Sequence, residues 1–257
     1  MEQGRGLGMV VRSLVFGLAF YGTTLILSVL LAPSMLLPRP MVSAVSRFWV
    51  RVCLWVVKAT LGIDFKVEGR ENMPDGPAIY ASKHQSAAET LAFCLVVPDL
   101  AYILKRELFW VPIWGWYVWC VGMIGVNRAA GAAALKDMTR KATQVLSAGR
   151  SIVIFPQGTR TAPGTHRKYL PGAAALYAKA GVPVVPVALN SGLFWPRRKL
   201  AKYRGTFTIR IMEPIPPGLD KRAFLQRLEQ TIEPATTELE HRACEEFGLH
   251  LPAPAAE

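Results

Sequence analysis

Residues 77–98 read PAIYASKHQSAAETLAFCLVVP. The apolar run PAIYAS has the length and composition of a short buried strand, and it delivers the chain to His84. SAAETLAFCLVV has helical length and is closed by Pro98, since proline cannot continue a helix. The same alternation recurs downstream. IDFKVEG (63–69) alternates apolar and polar, as a half-exposed strand does, and LAYIL (100–104) is a strand leading to Lys105. GAAALKDMTRKATQVLSAG (131–149) is a helix ending at a glycine, the usual C-terminal stop. SIVIFP (151–156) is a buried strand, GAAALYAKAG (172–181) a short helix, and TFTIRIM (206–212) a strand. VPVVPVAL (182–189) is a strand whose prolines call for a sheet edge or a bulge. Residues 220–247 form a charged helix. Strands alternating with helices predict an α/β layer domain.

His84 lies where a strand hands over to a helix, which in such a layer is the carboxyl edge of the sheet. Two readings of SKHQSAAET are open on local grounds. Ser86 and Glu89 have the spacing of a capping box, with serine at the helix start and glutamate at the third helical position. Alternatively, His84 is a general base near neutral pH, and Glu89 reaches back one turn to accept its second ring N–H.

Composition narrows the partners. The 257 residues carry a formal net charge of +12 and are 51% hydrophobic, with mean hydropathy +0.25 and pI about 9.8. A basic, apolar chain points to an anionic surface: membrane, nucleic acid or acidic substrate. The four cysteines, Cys53, Cys94, Cys120 and Cys244, are widely spaced and form no C-x-x-C pair, which argues against a zinc site and for reduced thiols. Residues 13–32 hold no charge, a length that spans a bilayer. LLPRP (36–40) breaks that helix. In the next apolar stretch, 47–63, Arg47, Arg51 and Lys58 share one helical face, as in an interfacial helix. Residues 1–62 are therefore expected to be a membrane-associated two-helix segment, 63–250 the catalytic domain, and 251–257 a disordered tail.

Three further stretches bear chemistry. IGVNRAAG (124–131) puts Arg128 where an apolar run enters a helix, a position from which a guanidinium can fork onto phosphate. IVIFPQGTR (152–160) ends a buried strand in a turn where Gly158 lets backbone approach an anion and Arg160 adds charge. GVPVVPVAL (181–189) can line a site wall.

In this order and spacing, HQSAAE (84–89), GVNR (125–128), FPQGTR (155–160) and VPVVPV (182–187) resemble the blocks of the glycerolipid acyltransferase family, most of all its bacterial PlsC-type lysophosphatidate acyltransferases. LKREL (104–108) is similar to the family's lysine-containing segment. The resemblance spans about residues 60–215. It implies a layered αβ domain with an N-terminal membrane-associated hairpin held in one leaflet. It further implies transfer of an acyl chain from acyl-CoA or acyl carrier protein to the sn-2 hydroxyl of 1-acyl-glycerol-3-phosphate, giving phosphatidic acid. It implies His84 and Glu89 as the catalytic pair, and Lys105, Arg128, Gln157, Gly158, Thr159 and Arg160 as substrate contacts. No metal and no cofactor beyond the thioester is expected, and the location implied is the cytoplasmic face of the inner membrane.

Two residues depart from the family pattern. Glu89 replaces an aspartate, and Gln157 replaces a glutamate, which removes a charge. Backbone N–H groups at the helix start are expected to hold the oxyanion. FWVPIWGWYVW (109–119) is expected at the acyl tunnel, the bilayer interface or the core, and the basic loop FWPRRKLAKYR (194–204) at lipid head groups, coenzyme A or an acidic carrier. The rivals are a family member acting on another lysolipid such as lyso-ornithine lipid, a hydrolase, and a basic membrane- or nucleic-acid-binding module. The last has no recognised DNA-binding motif in its favour.

Overall fold

The computed structural model describes residues 7–252. Helices α1 (Leu7–Leu30) and α2 (Arg39–Leu61) form a hairpin, joined by a 3-10 turn at Ala32–Leu36. Then follow β1 (Ile63–Glu68), β2 (Ile79–Ser82), α3 (Ala88–Val96), β3 (Ala101–Lys105), α4 (Trp114–Cys120), β4 (Ile124–Val126), α5 (Gly131–Ser147), β5 (Ile152–Ile154), α6 (Pro171–Ala180), β6 (Val184–Leu189), α7 (Ser191–Phe194), β7 (Gly205–Ile211) and α8 (Lys221–Phe247). The expected α/β class holds.

One sheet takes the order β1-β7-β6-β2-β5-β3-β4. All its pairings are parallel except β6 with β7. Because β2, β5, β3 and β4 are adjacent and parallel, their carboxyl ends share one edge. His84, residues 155–160, Lys105 and Arg128 each follow one of those ends, so the topology gathers the sequence blocks at one rim.

Alternate residues of the central strands go to opposite faces, as the period of two requires. Tyr80 and Val153 join a cluster with α3 and with Phe16, Val57 and Leu61 of the hairpin. Ile79, Ala81, Ile152 and Ile154 join a cluster with α5, α6 and α8. The hairpin is thus one of the two layers covering the sheet.

It is also stapled at both ends. Arg12 donates to the Lys202 carbonyl at 2.8 Å and Ser13 to that of Leu200 at 3.0 Å. Arg39 holds Asp99 with two bonds of 2.6 and 2.9 Å. The turn between the helices meets α4, with Ser34 Oγ 3.5 Å from Tyr117 OH. α2 begins at residue 39, earlier than the apolar stretch at 47, because Pro40 falls in the first turn, where its missing N–H costs nothing.

The proline strand β6 is interior, between β7 and β2, and fully buried. Of the two expected devices, edge and bulge, the bulge is used. Ile211 faces Val187 and Ile215 faces Val184, so the 211–215 stretch holds one extra residue. Pro186 directs its carbonyl to Met212 N at 3.0 Å within this interruption, so its missing N–H falls where the ladder is already broken. Of the expected disordered tail at 251–257, residues 253–257 lie outside the described residues, and Leu251 instead packs against the core. All four cysteines are free.

Candidate active site

His84 follows β2 and lies at the start of the turn into α3. Its Nδ1 is 2.7 Å from Glu89 Oε1, and its ring stacks on Phe155 with centroids 3.9 Å apart. The imidazole is 15% exposed and the Glu89 side chain 0%. With Nδ1 tied to the carboxylate, Nε2 is the nitrogen left to meet a reacting group.

Glu89 is held by more than the ring. Gln85 N–H donates to Oε1 at 2.9 Å, Ser86 N–H to Oε1 and Oε2 at 2.8 and 2.9 Å, and Ser191 Oγ to Oε2 at 2.6 Å. Ser86 Oγ in turn accepts from Ala88 N at 3.1 Å. Both local readings therefore hold together: Glu89 closes the turn into α3 and braces the ring. The helix begins one residue later than the capping-box spacing implies, with Ala87 as its cap.

The N–H groups of Gln85, Ser86 and Ala88 are committed to Glu89 and Ser86, so these three form a carboxylate cradle and are not available as oxyanion donors. Gly158 is similar. Its φ of +69° is a left-handed bend that suits glycine, and a Cβ there would meet the Leu170 side chain at 2.5 Å. Its N–H closes the turn onto Phe155 O at 2.9 Å, so it contributes shape and not a donor.

A cavity of about 880 Å³ is lined by His84 and by residues of α3, α4, α5 and the hairpin. Its apolar lining includes Leu27, Val50, Leu91, Val118 and Leu135. Lys105, Arg128, Gly158 and Arg160 also line it. Lys105 pairs with Glu107 at 3.3 Å, with both side chains about half exposed, a contact worth little in water. Gln157 and Thr159 are not among the lining residues. Gln157 is buried behind the turn, and Thr159 Oγ1 is 3.3 Å from Arg197 Nη1.

Within the aromatic stretch, Trp114 and Tyr117 line the cavity, while Trp110, Trp116 and Trp119 are exposed. Cys94 also lines it, but burial pushes its thiol up to about 12, so it stays protonated and is a poor nucleophile. Burial, with smaller contributions from the nearby Cys94 and Glu89, pushes the Tyr102 phenol well above its ordinary range. It remains a donor, to Thr90 O at 2.7 Å.

Sequence reading missed Ser191, Lys83 and Glu233, whereas Arg197 belongs to the basic loop 194–204 already singled out. Ser191 opens α7 directly after the proline strand, so its approach to Glu89 depends on β6 lying next to β2. Arg197 donates to the Arg160 carbonyl at 3.2 Å and sits in a crowd of like charge. Its guanidinium is lowered first by desolvation and then by Arg198, Arg160 and Arg167.

A family model described as Acyltransferase matches residues 64–190, the span that holds His84, Glu89, Arg128 and the 155–160 turn. The chain belongs to this acyltransferase family. It is 36% identical to the 1-acyl-sn-glycerol-3-phosphate acyltransferase of Pseudomonas aeruginosa over 77% of this chain and 78% of that one. It is 30% identical to a Chlamydomonas reinhardtii enzyme of the same description, over 87% and 70% respectively. Among solved structures, it is similar to the 1-acyl-sn-glycerophosphate (LPA) acyltransferase PlsC of Thermotoga maritima. That likeness has a TM-score of 0.74 and 25% identity, over 90% of this chain and 97% of that one.

Proposed function

We propose that this enzyme acylates the sn-2 hydroxyl of 1-acyl-glycerol-3-phosphate to give phosphatidic acid, with acyl-CoA or acyl carrier protein as donor. The observation that carries the reading is the 2.7 Å His84–Glu89 pair, with His84 lining a large, mostly apolar cavity that Lys105, Arg128 and Arg160 also line. The acceptor hydroxyl gives its proton to His84 Nε2 as its oxygen attacks the thioester carbonyl. The tetrahedral intermediate expels a thiolate, which recovers the proton from the imidazolium. Glu89 stabilises that imidazolium and fixes the tautomer. Attack is direct and needs no acyl-enzyme. The cations hold the acceptor phosphate, the cavity takes the acyl chain, and no cofactor is required.

The test is mass spectrometry of products from purified protein given mixed lysolipids, lyso-ornithine lipid included, with each donor in turn. Phosphatidic acid is the expected product, and exclusive acylation of another lysolipid overturns the reading. Arg160→Ala and Arg128→Ala should each raise the KM for lysophosphatidate about tenfold to a hundredfold, the range for a hydrogen bond to a charged group. The KM for the acyl donor should change little. Equal effects on both substrates would assign these arginines a structural role.

The enzyme works on the cytoplasmic face of the inner membrane, with the hairpin in one leaflet. Two helices, Val11–Leu30 and Arg39–Leu61, are long and apolar enough to cross a membrane. Being docked on the domain at both ends and at the turn, they do not project from it. Leu14, Leu18, Leu25 and Val29 of α1 and Met41, Phe48 and Trp55 of α2 are exposed, and clustered exposed apolar side chains mark a partner or membrane surface. Deleting 1–62 would strip Val57 and Leu61 from the core, so surface substitution is the cleaner test. Leu18→Glu combined with Trp55→Glu should keep the fold and abolish flotation with phospholipid vesicles. Unchanged flotation would reject this membrane face.

A further inference from the structure

Glu233 lies in the middle of α8, outside every sequence block and outside the cavity, yet its carboxylate ends behind the catalytic turn. Oε2 accepts from Lys83 Nζ at 2.7 Å, and Oε1 accepts from Tyr169 OH at 2.8 Å and lies 3.5 Å from Gln157 Nε2. Lys83 is only 1% exposed and gives a second bond to Thr165 O at 3.1 Å. Gln157 is 2% exposed. Its amide nitrogen also reaches Arg167 O at 3.3 Å, and its oxygen lies 3.3 Å from Thr161 Oγ1. Thr161 grips His84 itself: its N–H donates to the His84 carbonyl at 2.8 Å, and its hydroxyl lies 3.2 Å from the same oxygen.

Glu233 thus reaches the catalytic histidine by two routes. One runs through Lys83, the residue immediately before it. The other runs through Gln157 and Thr161, which hold its carbonyl. We propose that Glu233 is a positioning residue for His84, and that Lys83, Glu233 and Gln157 form one unit in which the Glu233 carboxylate pairs with the buried Lys83 ammonium. This rests on the acyl-transfer reading of the site, which makes His84 the group whose placement matters.

The charge count explains why residue 157 is an amide. A carboxylate there would lie beside Glu233, itself 19% exposed, and add a further like charge to Glu233 and the buried Glu240 around the one lysine, Lys83. Glutamine instead donates toward Glu233 and accepts toward Thr161, which a carboxylate cannot do. Glutamate at 157 and glutamate at 233 are therefore alternatives in this chain.

The experiment compares wild type, Glu233→Gln, Gln157→Glu and the double variant carrying both changes. It records kcat per folded enzyme, KM for both substrates, and melting temperature. Wild-type turnover is measured first, so an inactive wild type counts against the acyl-transfer reading and not against the positioning role. Each single change unbalances the unit, so kcat should fall about tenfold to a hundredfold at unchanged KM, the scale of a small misplacement of the base. The double variant moves the carboxylate from 233 to 157, restores the balance and should recover most of kcat. Wild-type kcat in folded Glu233→Gln overturns the proposal, as does a double variant no better than the singles. If Glu233→Gln does not fold, the double variant decides: recovered turnover supports the unit, and a folded but slow double variant refutes it.

Discussion

His84→Ala loses at least about a hundredfold in kcat while keeping its fold, because a general base contributes about 10²- to 10⁴-fold. The structure explains why the fold survives. Removing the ring takes one donor from Glu89, but Gln85 N–H, Ser86 N–H and Ser191 Oγ remain on the carboxylate. No buried charge is left without partners. The stack on Phe155 is lost, at a cost of about 1 kcal/mol for such a ring pair. The measurement is kcat at saturating substrate beside the circular dichroism spectrum of the same preparation. Near-normal turnover in a folded variant would end the proposed mechanism.

The order of strands and helices was legible because each element carries its own signal. Alternation marked β1 and β7, apolar runs marked β2 and β5, and Gly149 and Pro98 marked helix ends. What local pattern could not give was adjacency. Nothing in VPVVPVAL says that it lies between β2 and β7. The proline rule favoured an edge or a bulge, and the extra residue in 211–215, far along the chain, is what makes an interior position tolerable. The hairpin was read as an anchor from its lack of charge. That one side of it also roofs the sheet follows from Phe16, Val57 and Leu61, which look like any other apolar residues in the sequence.

The site divides in the same way. His84, Lys105, Arg128 and Arg160 lie at or shortly after strand ends, with Glu89 in the first turn of α3, so parallel topology was enough to bring them to one rim. Gln157 was expected among the substrate contacts because the family resemblance of the FPQGTR block implied it. It faces inward because the turn around Gly158 presents 158 and 160 to the cavity and 157 to α8. Ser191 and Glu233 approach the catalytic pair from 102 and 149 residues away from Glu89 and His84, through the packing of α7 and α8. A serine after a proline strand and a glutamate in a charged helix have no pattern that marks them. The signal that finds them is a buried carboxylate whose hydrogen bonds must be accounted for.

Glu89→Gln should lose about a hundredfold or more in kcat and also some stability, and the two losses have different origins. A capping box by itself would leave stability unchanged, since glutamine also serves there. The structure revises that. The carboxylate accepts from Gln85, Ser86 and Ser191 besides the ring, and both of its oxygens are used. An amide keeps one oxygen for the ring, Gln85 N–H and Ser86 N–H. It then turns an NH₂ group toward Ser86 N–H and Ser191 Oγ. Ser191 can rotate its hydroxyl to accept, but the Ser86 N–H cannot, so one contact becomes donor against donor, costing about 1–3 kcal/mol. The catalytic loss is electrostatic. The amide still accepts the Nδ1 proton, so the tautomer survives, but the imidazolium formed during attack loses an anionic partner 2.7 Å away. At an effective dielectric of about 20 a charge pair at contact distance is worth a few kcal/mol, and about 2.7 kcal/mol is a hundredfold in rate. A melting curve and kcat on the same preparation separate the effects. Ser191→Ala removes one donor from Glu89 and leaves its charge, so it should lower stability with at most a modest loss of kcat. A Glu89→Gln enzyme that is less stable but fully active would make Glu89 a structural residue alone, and His84 would then work without a carboxylate.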